Sequence, residues 1–253
     1  MHDYNNFMSK FRDIVSSAAK NTKVLLLYAV VSAAEVALGD LAFPVAPAVL
    51  RFISFSNLRQ ISRAMFQAAG FMYISSILTW SAFAVTKRCI YDAATGSKAS
   101  LLRTFIAAFK YYLFWDTLLY LPLAGFLLAA ANVQENLINL LLLGLAAFFL
   151  AVFYCAIFYL RFSGAVLVGI ERINPTEMHK LAEYASPRVF LLCIFYGLAT
   201  LFLFFLPEIL QFVALYLLNF FVGCLLVHEY LRLSAHRFHH SSDTAIVITK
   251  EDR

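Results

Sequence analysis

The sequence predicts an all-α, polytopic membrane protein: six transmembrane helices with amphipathic helices at the cytoplasmic interface. Three observations carry that expectation. Of the 253 residues, 62% are hydrophobic and only 14% are charged, against about 25% charged in ordinary soluble domains. Six apolar runs reach or approach the ~20 residues needed to cross a hydrocarbon core of ~30 Å. Of the 20 Lys and Arg, 17 gather on one side of those runs, as the positive-inside rule expects of cytoplasmic segments. A soluble chain of this length would need far more polar surface, whereas lipid solvates an apolar exterior. The 26 Phe and 13 Tyr suit lipid contact and the headgroup interface. The net charge of +5 does not point to nucleic acid, because the basic residues are dispersed between apolar runs and no nucleic-acid motif is present.

Residues 1–23 read as an amphipathic N-terminal cytoplasmic helix. Phe7, Phe11, Ile14, Val15 and Ala18 share one face, with Lys10, Asp13 and Lys20 towards the other. That pattern argues against a cleaved signal peptide, although Val24–Ala34 has the apolarity of one. Residues 24–231 form the six-helix transmembrane domain, with runs at 24–43, 69–86, 111–131, 137–160, 189–206 and 209–231. Residues 232–253 are a polar cytoplasmic tail. Between the first two runs, 44–68 carries Arg51, Arg59 and Arg63 within about 120° of helical arc. Val49, Leu50, Ile53, Leu58, Ile61 and Met65 supply an apolar side, and the segment reads as a helix on the outer surface. A different topology for the first two runs is the competing arrangement. The basic connectors 87–110 and 161–188 fall inside, and both termini are cytoplasmic, which places the chain in a cell (inner) membrane. The Pro207–Glu208 turn makes the last two runs a close antiparallel hairpin.

The two cytoplasmic connectors share a plan. In "GSKASLLRTFIAAFKYYLF" Ser100 is a candidate N-cap, and Leu101, Phe105, Ala108 and Tyr112 follow at helical spacing. In "NPTEMHKLAEYASPR" Asn174 is a candidate N-cap, Pro175 sits at N1 and Glu177 at N3, close to a capping box. Met178, Leu181 and Ala185 form an apolar side suited to a membrane surface. Ser100 and Thr176 are 76 positions apart, so a parallel repeat of span, surface helix and span competes with chance similarity.

Taken in order, the tail helix, the first span, the long outer segment, the basic turn "KRCIYDAATGSKASLLRTF", the segment "GAVLVGIERINPTEMHKLAEYASPRVF" and a final hairpin ending "EYLRLSAHR" resemble the six-span YciC-like membrane proteins of bacteria. They are also similar to the membrane portion of some glycerophosphodiester phosphodiesterases. The resemblance is one of architecture. It implies a six-span bundle and no activity, hence no catalytic residues. The chain departs from it at Pro187 and in its many aromatics.

Chemistry-bearing residues are few. Glu35 lies midway along the first run, Asp40 nearer its outer end, and Asp116 in the third run beside Trp115. An ionisable group near the centre of a span costs about 2.5–3.5 kcal/mol on insertion scales. These carboxylates are therefore either hydrogen-bonded glue between helices or a proton or cation relay. Tyr112 and Tyr120 lie one turn to either side of Asp116, so their hydroxyls are expected to bond to it. No Lys or Arg is expected deep in a span. Arg161 and Arg172 are candidates for lipid headgroups, and Gly125 with Ala129 gives one small-xxx-small spacing. "HRFHH" matches one histidine box of membrane desaturases, but those enzymes draw on several such boxes, and this chain has six histidines in all. A simpler metal site from His228, His236, His239 and His240 is an alternative to a solvated tail. Cys89, Cys155, Cys193 and Cys224 form no CxxC pair and read as structural thiols. Nucleophile and phosphate-binding motifs are absent.

The leading functional expectation is a non-enzymatic structural, assembly or accessory membrane component. It needs no cofactor, and its partners are membrane lipids and other membrane proteins or a second copy. One alternative is a small transporter or channel using Glu35, Asp40 and Asp116. A second is a metal-dependent lipid-modifying enzyme using the C-terminal histidines.

Overall fold

The computed structural model describes the backbone of residues 2–42, 58–132, 136–184, 186–203 and 205–251. The side chains of 2–7, 38–42, 58–61, 63–65, 67, 68, 72, 178, 183 and 236–251 lie outside that description. Among the described residues there is no strand, and eight helices follow one another: α1 His2–Lys20, α2 Thr22–Ala42, α3 Leu58–Thr95, α4 Leu101–Asn132, α5 Leu137–Glu171, α6 Met178–Tyr184, α7 Pro187–Leu203 and α8 Glu208–Glu251. Each of the six expected apolar runs lies mainly on a helix; positions 43 and 204 are outside the described residues, and Phe205 and Leu206 form a turn beyond α7.

Four segments are long and apolar enough to cross a membrane: Ala69–Thr95, Leu101–Asn132, Leu137–Glu171 and Glu208–Ala235. A fifth arises if Met8–Lys20 and Thr22–Ala37 count as one span bent by 83°. At 17 residues, α7 is about 25 Å long, short of a ~30 Å core. The chain is thus an all-α polytopic protein with four to five candidate membrane-spanning helices, and α7 is a shorter apolar helix beside them.

Local chemistry explains the breaks. Asn21 ends α1 and caps α2, its Oδ1 accepting from the Lys23 N–H at 3.1 Å. Gly96 takes φ +71° after α3, the left-handed conformation that glycine adopts at no steric cost. The Ser100 Oγ accepts from the Arg103 N–H at 3.4 Å, the expected N-cap. Asn136 caps α5 in the same manner, at 2.8 Å from the Asn139 N–H. At its other end Arg172 closes α5 in the left-handed region, φ 56°.

Packing centres on α3, which touches α1, α2, α4, α5 and α8. One apolar core joins α3, α4, α5, α7 and α8 around Phe83, Tyr112, Phe162 and Tyr196. A second joins α1, α2, α3 and α8 around Ile14, Ala18, Tyr28, Ile90 and Cys224. The predicted apolar face of α1 is therefore real from Phe11 onward, but Ile14 and Ala18 bury against protein. Where α3 and α5 cross, a Cβ at Gly169 would sit 2.5 Å from the Ala84 carbonyl oxygen, so only glycine allows this backbone approach.

Several expectations are corrected. The connector 87–110 is not a loop: α3 continues to Thr95 and α4 starts at Leu101. Lys87 and Arg88 are buried. Likewise α5 runs on to Glu171, and every residue from Arg161 to Ile170 is buried. Apolarity marks where a helix can enter lipid; it does not mark where the helix ends. Further along the connector 161–188, helix is lost. Residues 174–177 form a turn, and α6 starts at Met178 rather than Pro175. The capping reach survives, since the Asn174 N–H donates to Glu177 Oε2 at 2.8 Å. That bond, followed by those from Lys180, holds the Glu177 carboxyl below the usual glutamate range. Of the expected apolar side, Leu181 meets protein, joining the first core with Tyr184, and the Tyr184 hydroxyl donates to the Leu226 carbonyl at 2.9 Å; the Met178 side chain and residue 185 lie outside the described residues. Ser100 opens a helix of 32 residues and Thr176 precedes one of 7, so the two connectors differ in form. Gly125 and Ala129 are exposed rather than in a helix contact. The amphipathic pattern of 44–68 lies largely outside the described residues, although its end, from Leu58, is already part of α3.

Candidate functional site

Among the described residues, three clusters of polar side chains join different helices around a buried carboxylate or ammonium, and helix geometry delivers each set. The first joins α3, α4 and α5. Asp116 is fully buried, and Arg161 is 3% exposed. The Arg161 Nε lies 3.0 Å from Asp116 Oδ1, and its Nη2 donates to the Ser76 hydroxyl. The guanidinium also lies over Trp80, 4.9 Å from the ring centroid. Arg161, expected at a headgroup, is buried and paired with Asp116. By sequence it follows an apolar run, while its partner is 45 positions away on another helix. Tyr112 also departs from expectation, donating to the Arg161 carbonyl at 3.2 Å. Tyr120 rests edge-on against Tyr73 at 5.6 Å between centroids.

The second place is the junction of α2, α3, α7 and α8. Tyr28, Ser32 and Glu35 lie on one face of α2. The Asn219 Nδ2 of α8 donates to Glu35 Oε2 at 2.7 Å and to the Ser32 hydroxyl at 3.3 Å. Its Oδ1 accepts from the Tyr196 hydroxyl of α7 at 3.0 Å. Below them Lys87, with no exposed surface, donates to the Tyr28 hydroxyl at 2.9 Å and to the Thr86 hydroxyl at 3.3 Å. Its ammonium also lies 3.1 Å from the Phe83 ring centroid. A Cβ at Gly223 would collide with the Tyr28 hydroxyl and approach Lys87 Nζ to 3.2 Å. The absence of a side chain there makes room for the pair. Lys87, Asn219 and Tyr196 carried no sequence signal as a group, since spacing along the chain does not report contacts between helices.

The third place lies between the start of α7 and the middle of α8. Glu229, 5% exposed, receives Arg188 Nη1 at 3.2 Å and Arg232 Nε at 2.8 Å. Nearby, Tyr230 donates to Glu171 Oε1 at 2.9 Å.

The remaining sequence candidates scatter. Glu35 and Asp116 have separate partners. Asp40 is on α2 with its side chain outside the described residues. Arg172 is exposed at the α5 C-cap. His228 is buried and packs edge-on to Phe11 at 6.2 Å between centroids, whereas the side chains of His236, His239 and His240 lie outside the described residues. No group of three or more metal-ligating side chains occurs among the described residues. Cys89, Cys193 and Cys224 are buried free thiols, and Cys155 is exposed. Two hollows open on the surface. One, of about 400 Å³, is lined by Ser17, Lys20, Asn21, Thr22, Lys23 and Ala93. The other, of about 560 Å³, lies between α5 and the start of α7 beside Cys155, Tyr159 and Phe190. Neither touches the Asp116 or Glu35 clusters.

No protein-family model, curated protein or solved structure matches the chain.

Proposed function

We propose that this chain is a structural, assembly or accessory component of a cell membrane, acting through helix and lipid contacts, with both termini in the cytoplasm. The observation that supports it most is the state of Asp116. The fully buried Asp116 carboxylate pairs with Arg161, which also reaches the Ser76 hydroxyl, and so ties three helices together. A residue that conducts or binds cargo faces a path; a residue that fixes packing faces a partner. Support also comes from the first half of α5, where Leu137, Ile138, Leu141, Phe148 and Phe149 are each more than 60% exposed, a surface suited to lipid or to the spans of another membrane protein. The orientation rests on the 17 of 20 basic residues assigned to one side.

The test is purification of the full chain in mild detergent, with identification of co-purifying lipids and membrane proteins, beside liposome flux of Asp116→Asn. The reading expects a reproducible membrane partner or lipid set and a variant that loses stability. A folded, stable D116N protein that has lost ion or solute flux shown by the unmodified chain would replace it with a transporter.

A further inference from the structure

Lys87 ends on hydroxyls and an aromatic ring, and none of the described ion pairs includes it. An ammonium surrounded only by neutral groups in a dry interior carries a large desolvation cost unless a counter-charge lies within its field. Glu35 supplies one. It lies two turns along α2, on the same face, from Tyr28, the residue whose hydroxyl Lys87 contacts. Glu35 is only half-buried, whereas Ser32, Asn219 and Lys87 have no exposed surface. Glu35 is therefore the member of the array with exposed surface, and Lys87 is enclosed.

The other groups at this junction are hydroxyls and thiols: Tyr28 from α2, Thr86 from α3, Tyr196 from α7 and Cys224 from α8, with Cys89 of α3 in the same core as Tyr28. At the same junction α1 presents apolar Ile14 and Ala18. Asp92 and Arg88 pair with each other at 2.8 Å. A metal cation that needs several oxygen ligands meets one carboxylate here, with an ammonium in its field. A proton needs one lone pair.

We propose that the junction of α2, α3 and α8 is a proton-binding site inside the bundle, in which Glu35 accepts the proton and Lys87 sets how tightly it is held. The step is Glu35–COO⁻ plus hydronium giving Glu35–COOH and water. The new O–H bond forms on Oε1, the oxygen that Asn219 does not hold. The loaded carboxyl is a poorer acceptor for Asn219, so the bridge from α2 through Asn219 to Tyr196 on α7 depends on the proton. This goes beyond the structural role above and stands or falls separately from it.

The test is an infrared pH titration of the full chain in lipid nanodiscs, following the carbonyl stretch of protonated carboxyl groups between about pH 4 and 10. The expected result is a titrating band that is absent in E35Q and retained in D40N. In K87M its midpoint moves upward by at least about one pH unit, because the neighbouring positive charge is gone. K87Q, which keeps a donor for Tyr28, serves as the second variant if K87M does not fold. The proposal is overturned if no titrating band disappears in E35Q. An unmoved midpoint in a folded Lys87 variant also overturns it, as does a midpoint that shifts when sodium replaces potassium, which marks a metal-cation site.

Discussion

The two halves of α5 have similar apolarity and opposite surroundings. From Leu137 to Ala156 no side chain is buried, whereas from Arg161 to Ile170 every one is. Phe149 is 63% exposed and Phe162 has no exposed surface. A Cβ at Gly144 would meet nothing within 4 Å, while at Gly169 it would strike the backbone of α3. The half that looks more water-tolerant by sequence, with Arg161 and Ser163, is the half that the protein encloses. The comparison teaches that a charged residue at the end of an apolar run can mark the interior of a bundle as readily as its edge. What decides is whether a partner stands on a neighbouring helix.

Three sets of substitutions probe that contrast and a fourth lies beyond α5, from the largest expected effect to the smallest. Arg161→Leu leaves the Asp116 carboxylate buried and unpaired and should cost about 3–5 kcal/mol. The double variant R161L/D116L should recover most of that loss, as read by unfolding in mixed micelles. A double variant as unstable as the single one would mean that the ion pair is not what holds the three helices. Phe162→Ala removes a core ring and should cost about 3–5 kcal/mol. Phe149→Ala on the open half should stay within about 0.5 kcal/mol, and equal losses would erase the distinction between the halves. Gly169→Ala should cost about 1–3 kcal/mol through the clash with Ala84. Gly144→Ala should be neutral or slightly stabilising by helix propensity, and the order of the two melting temperatures is the check. Glu177→Gln should have the smallest effect. The Glu177 carboxyl lies below the usual glutamate range because it accepts from the Asn174 N–H. Its contribution is thus complete above the unfolded-state value and disappears as pH falls through the lower folded-state value. Amide exchange at Asn174 should quicken over that acid range in the native chain, and E177Q should show no such pH dependence.

Much of the fold was legible in the sequence. Composition and run length pointed to apolar helices, and each run lies mainly on one. The α1 face at Ile14 and Ala18, the Ser100 cap and the reach of Glu177 to Asn174 also followed from local spacing, because caps and amphipathic faces are settled within a turn or two. The site was less legible. Glu35 and Asp116 stand out in the sequence as expensive charges, but Lys87 and Arg161 have the pattern of loop and flank residues. Their partners, Tyr28 and Asp116, are 59 and 45 positions away, and no pattern in one sequence carries that information. Helix length failed for the same reason: α3 and α5 outrun their apolar stretches because other helices solvate their polar ends.

The most direct test of the account is quenching of single tryptophans by lipids brominated on the acyl chains. Trp80 and Trp115 are replaced by Phe, and one tryptophan is introduced at a time as Phe149→Trp or Phe162→Trp. The account predicts strong quenching at position 149 and weak quenching at 162 in the same bilayer. Equal quenching at the two positions, or none at 149, would contradict a lipid-facing first half of α5 and a protein-enclosed second half.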